Sequence, residues 1–252
     1  MIVDPLFYAA AVPAVAIVGL SKSGFGGGAA LIAVPLMSLT VPPLQAAGIM
    51  LPILCVMDAM GLLAYRGRVD WPMVRLLLPA ALVGTAVGWA TATWVTDAQV
   101  RLMVGAIAIA FVAFRLVDRR SGETPAPPNR LAGSFWGAVS GFTSFISHAG
   151  GPPMQIYMLP RKLEPQLFAG TSIVIFAAIN ASKLVPYFML GQFDTQNLTT
   201  SLALFPLALV SMWLGIWLVR VISAQLFYRI AYATILLVGV KLVWDGIASL
   251  VS

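Results

Sequence analysis

The chain has 252 residues, 60% of them hydrophobic and 10% charged, with 15 Lys or Arg against 9 Asp or Glu and a mean hydropathy of +0.93. A soluble domain carries about 25% charged and 45 to 50% apolar residues, so this composition points to a lipid bilayer as solvent. It excludes a soluble enzyme, a disulfide-stapled secreted domain and a nucleic-acid binder; the net charge of +6 is explained below by membrane orientation.

Met1 to Pro5 hold Asp4 and no basic residue, so they lack the n-region of a cleavable signal peptide, and the first apolar segment, 5–20, is read as retained. A glycine-rich stretch, SKSGFGGG at 21–28, separates it from a second segment, 26–40, that carries Pro35. Three longer segments follow, at 46–65, 71–95 and 99–117, the first of them holding Asp58 and the lone cysteine, Cys55. A single cysteine rules out a disulfide within the chain, and no Cys-based metal site exists. DRRSGETPAPPNR at 118–130 is polar and Pro-rich, and reads as a solvated linker between halves 1–117 and 131–252.

The second half runs through 131–147, the stretch SHAGGPP at 147–153, a nine-residue segment at 152–160, and then 166–189, 196–219 and 225–250. It repeats the first. Pro79 and Gly88 fall on Pro206 and Gly215 at an offset of 127, Gly67 and Asp70 on Gly191 and Asp194 at 124, and Asp58 on Asn180 at 122. Apolar matches are cheap, so the duplication rests on Gly, Pro, Gln, Asp and basic residues keeping register.

With the linker placed in the cytoplasm, alternation puts 11 of the 15 basic residues at cytoplasmic ends. Arg101 alone lies outside, and Lys22, Lys183 and Lys241 fall within apolar stretches. Each half has an odd number of segments, so the second enters the membrane upside down relative to the first, and both termini are expected outside, in the periplasm. The run 152–160 spans only about 14 Å at 1.5 Å per residue, against a hydrocarbon layer of about 30 Å. The expected fold is therefore an all-α polytopic membrane protein of two inverted repeats, each a hairpin of broken helices followed by three full spans.

Irregular backbone survives at membrane depth only beside a polar cavity, so the two glycine tips are expected to meet there. Gly24, Gly26 and Gly27 at one tip, and Gly150 and Gly151 at the other, lead toward helix N-termini, whose N–H groups and dipole favour an anion. Ser21, Lys22, Ser23, Ser147 and His148 flank those tips, and Thr171, Asn180 and Lys183 share one later span. Ionisable groups at such depth normally face a polar interior, which makes Asp58 a candidate for proton coupling. Plainer readings stay open: glycines as packing residues, His148 as a cap, Lys183 snorkelling, and Asp58 as the structural partner of Lys22 or Lys183. Trp71, Trp94 and Trp244 lie near span ends and read as an aromatic belt.

The chain resembles the TauE/SafE sulfite exporter family, also called the toluene sulfonate uptake permease family. The resemblance rests on GLSKSGFGGG at 19–28, PLQAAGIMLPILCVMDAMG at 43–61, GGPPMQIYMLP at 150–160 and LFAGTSIVIFAAINASKLVPY at 167–187. It implies a secondary transporter, not an enzyme, that moves a small sulfur-containing anion such as sulfite or an organosulfonate across the bacterial inner membrane, without a cofactor. It further implies site roles for Lys22, Gly24, Gly26, Gly27, Asp58, Asn180 and Lys183. An anion channel, and an H+-coupled uptake permease for sulfonates or carboxylates, are the alternatives. Substrate, direction, coupling ion and oligomeric state are not legible in the residues.

Overall fold

Proline and capping side chains set where the helices begin. Asp4, Asp70, Asn129 and Asp194 each accept a backbone N–H from the first turn of the helix that follows, satisfying one of its unpaired donors. The computed structural model describes residues 1–24, 27, 33–92, 94, 96–117 and 127–251. Among them are ten α-helices and no strand: α1 (Pro5–Lys22), α2 (Ala33–Met37), α3 (Pro43–Ala64), α4 (Trp71–Thr91), α5 (Asp97–Val117), α6 (Arg130–Ser147), α7 (Gly151–Met158), α8 (Pro165–Met189), α9 (Thr195–Val221) and α10 (Ala224–Val251). A 3-10 turn at Leu159–Arg161 closes α7. These helices match the ten expected segments in number and order. Gly26 and most of the 118–130 linker lie outside the described residues, as does the side chain of Ser147.

Among the described residues, six helices (α1, α3, α4, α8, α9 and α10) are long and apolar enough to cross a bilayer. The chain is a multi-pass membrane protein, and its outward faces agree: Val83 and Val87 on α4, Leu202, Trp213 and Trp217 on α9, and Leu237, Trp244 and Ile247 on α10 are all exposed. α5 has 21 residues, about 31 Å of helix, and is apolar over Arg101–Ala113. It packs on α10 through Gly105, where a Cβ would come within 2.7 Å of the Gly239 carbonyl oxygen. Lys241 of α10 pairs with Asp245 one turn on, at 2.6 Å.

The core is built by small residues that let backbones touch, the usual substitute for hydrophobic drive between helices in lipid. α4 lies against α6, with Gly84 facing the Ala138 carbonyl and Gly141 facing that of Ala81, and α1 lies against α9 with Gly19 on Ser211 and Gly215 on Ser23. α3 touches α9 and α8, and α8 touches α4. The centre belongs to α3 and α8: 61% of the apolar window of each is buried within the chain, against 33 to 44% for the other four long helices.

The ends sort by charge. Arg68 meets Glu164 at 3.2 Å, Arg220 donates to the Ala64 carbonyl, and Tyr228 donates to the Leu163 carbonyl, so one end gathers the loops that hold Arg66, Arg68, Arg161, Lys162 and Arg220. At the opposite end the Ile2 N–H donates to Thr200, and Gln45 donates to Asn197. Gly67 and Gly191, matched in the sequence comparison, both adopt positive φ (81° and 67°) three residues before a capping Asp. The tight left-handed turn is one that glycine makes without steric cost.

Candidate functional site

α6 carries Ser140, Thr143 and Ser144 at helical spacing, which sets a hydroxyl stripe on one face. That stripe receives the returning chain. His148 turns left-handed at φ 53°, the Ala149 N–H donates to the Thr143 carbonyl, Ser140 Oγ donates to the Gly150 carbonyl at 2.7 Å and Thr143 Oγ1 to that of Ala149 at 3.1 Å. α7 then runs back beside α6, its Tyr157 hydroxyl donating to the Asn129 carbonyl at the foot of α6. Every residue of α7 is buried. Pro152 and Pro153 stand at its second and third positions and have no N–H, so the first-turn donor it offers is that of Gly151.

At the other tip Lys22 is the last residue of α1 and is 5% exposed. Its ammonium lies 2.7 Å from Asp58 Oδ1 and 5.6 Å from the ring centre of Phe176. The other Asp58 oxygen accepts from Asn180 Nδ2 at 2.7 Å, so the carboxylate is held from two sides. Gly27 folds back with φ 64° and donates its N–H to the Ser21 carbonyl.

Between the tips lies a cavity of about 30 Å3, lined by Lys22, Gly27, Leu54, Ser144, His148, Gly151, Phe176 and Asn180. That is roughly twice the least volume that holds one water molecule. Lys183, fully buried on α8, donates to Ser144 twice, to its carbonyl and to Oγ at 2.9 Å. His148 Nε2 is 3.2 Å from the Tyr187 hydroxyl. Leu54 and Phe176 make part of this wall apolar, and Lys22, Ser144, His148 and Asn180 add polar side chains to it.

Of the residues singled out in the sequence, Lys22, Gly27, His148, Gly151 and Asn180 line the cavity, with Asp58 and Lys183 bonded directly to lining residues. Others stand elsewhere. Ser23 donates to the Leu20 carbonyl and packs on Gly215, and Gly24 packs on Val219, so both face α9. Thr171 accepts from the Asp70 N–H near the basic end, and Gly150 is pressed against Ser140 and Ser144. Ser21 is buried and bonds to Gly27 through its carbonyl. Sequence reasoning passed over Ser144, although its place in the Ser140, Thr143, Ser144 stripe was a readable signal.

A polytopic helical bundle with a buried cavity between helix ends, lined in part by charged and polar side chains, is an organisation met among secondary transporters. The model of the family described as Sulfite exporter TauE/SafE matches residues 11–242, nearly the whole chain, and the chain belongs to that family. It is thus a membrane transporter of a family that handles sulfur anions, and not an enzyme. No curated protein matches it, and no solved structure does.

Proposed function

We propose that the protein exports a small sulfur-containing oxyanion such as sulfite, binding it in the cavity between the tips. The observation that carries this reading is that Lys22, Ser144 and Gly151, from three different helices or helix ends, line one small hollow. Its size favours a solute of a few heavy atoms over an aromatic sulfonate. Export suits a negative cell interior, because each negative charge leaving gains about 2.3 kcal/mol per 100 mV.

Movement follows from two inverted repeats, 1–117 and 131–252, rocking about the site. Three observations support the repeat. Asp58 and Asn180 occupy matching places on α3 and α8 and touch one another, as residues near a two-fold axis do. The α1–α9 and α4–α6 contacts are counterparts, as are α3–α9 and α4–α8. Gly67 with Asp70 and Gly191 with Asp194 build the same turn. The basic end faces the cytoplasm and both termini lie outside, in the orientation that positive residues impose on bacterial inner-membrane proteins.

Sulfite-loaded proteoliposomes test the proposal. Efflux faster than from empty liposomes, lost in Lys22→Gln, is the expected result; efflux equal to the lipid leak defeats it. Asp58 is the candidate for coupling H+ to the anion, since its carboxylate shares Lys22 with the cavity. Equal rates for Asp58→Asn and parent, with and without a pH gradient, remove Asp58 from the transport step.

A further inference from the structure

We infer that the site is built for a singly charged anion, and that Lys183, acting through Ser144, is the positioning residue that sets this preference; the inference rests on the anion-binding reading above.

Charge counting leads there. The buried ionisable side chains around the cavity are Lys22, Asp58, Lys183 and His148. The residues of the first tip outside the described set are Phe25, Gly26, Gly28, Ala29, Ala30, Leu31 and Ile32, and none of them ionises, so the count does not depend on them. Lys22 and Asp58 cancel at 2.7 Å. Lys183 has no carboxylate within ion-pair distance among the described residues; both of its bonds go to the neutral oxygens of Ser144. With both lysines and Asp58 charged and His148 neutral, the side chains here sum to one positive charge in a medium of low dielectric, which a bound anion would offset. One negative charge brings the site to zero. A second would leave it as unbalanced as before, with the opposite sign.

Hydrogen-bond direction says the same of Ser144. An ammonium has donors only, so Ser144 Oγ must accept from Lys183, which leaves its own hydrogen to donate. Ser144 lines the cavity and Lys183 does not, so the lysine presents that hydroxyl to the ligand from behind.

The test is thermal stabilisation of the full-length protein in detergent by methanesulfonate and sulfate, two tetrahedral ions of similar size that differ by one charge. In the parent, methanesulfonate is expected to bind at least about tenfold more tightly than sulfate. Lys183→Gln takes the site to zero and should lose the methanesulfonate shift, while its melting temperature without anion does not fall. Asp58→Asn preserves shape, takes the site to two positive charges, and should move the preference toward sulfate. Sulfate binding as tightly as methanesulfonate to the parent overturns the inference and leaves the anion-binding reading standing, whereas a parent stabilised by neither ion sinks both. Should Lys183→Gln fail to fold, Asp58→Asn decides alone, and an unchanged preference in that variant overturns the inference.

Discussion

The two halves place a buried lysine beside the same cavity in opposite circumstances. Lys22, at the tip of α1, has a carboxylate 2.7 Å away, and that carboxylate is held in turn by Asn180 from the other half. Lys183, on α8, has the neutral oxygens of Ser144 and, among the described residues, no carboxylate within ion-pair distance. Nor do the lysines correspond: with α1 and α6 aligned end to end, Lys22 falls on Ser147, and at the offset that joins Asp58 to Asn180, Lys183 falls on Gly61. One buried lysine thus has a carboxylate for a partner and the other has neutral oxygens. Similar helices can be kept for their packing while the charges at their centre diverge.

The sharpest break of this contrast is Lys22→Met. It strands Asp58 in the interior with only Asn180 for support, and losing one partner of a buried ion pair costs about 3 to 5 kcal/mol. Thermal unfolding in detergent should show a large fall in melting temperature, most of it recovered in the Lys22→Met, Asp58→Asn double variant. A double variant as unstable as the single one would mean that the cost comes from lost packing on Phe176 and not from the stranded charge.

Asn180→Leu is next. It removes the donor to Asp58 Oδ2 but leaves the Lys22 bond, so a loss of about 1 to 3 kcal/mol is expected, the range for a buried acceptor left unpaired. An unchanged melting temperature would show that Lys22 alone satisfies the carboxylate.

Much of this was open to a reader of the sequence, because the bilayer writes simple rules. All ten helices stand where runs of apolar residues, bounded by proline, glycine and Asp, predicted them, and the break before α7 follows from His148, Gly150 and two prolines in succession. Lys22, Asp58 and Lys183 were conspicuous because charge is rare in such a chain. Which lysine takes the carboxylate was not legible: periodicity gives the face of a helix, not the helix opposite. For the same reason Ser23 and Gly24 read as site residues yet turn toward α9, while the hydroxyl stripe that holds Ser144 was legible but its partner Lys183, on α8, was not. Gly24 and Gly151 look alike in the sequence, but one packs against Val219 and the other lines the cavity.

On the Lys183 side smaller effects are expected. Ser144→Ala removes one of two acceptors and keeps the other, the residue's own carbonyl, so stability should fall by about 1 kcal/mol. Anion efflux should suffer more than stability, since the hydroxyl lines the cavity and the variant leaves nothing in its place to donate. Efflux at the parental rate would reduce Ser144 to a prop for Lys183.

The smallest change in stability should come from Lys183→Met, and it separates the two lysines most cleanly. Methionine fills nearly the same volume on α8 and has no charge to bury, while the acceptors it abandons, the Ser144 carbonyl and hydroxyl, are neutral and cheaper to leave than a carboxylate. Replacing an uncompensated buried charge by an apolar side chain is often neutral or stabilising, so the melting temperature should stay level or rise even as anion efflux disappears. Stability gained with transport lost is the signature of a charge retained for its ligand. Were Lys183→Met instead to unfold the protein as Lys22→Met does, Lys183 would be a structural cation with a counter-charge of its own, and the two sides of the cavity would be equivalent after all.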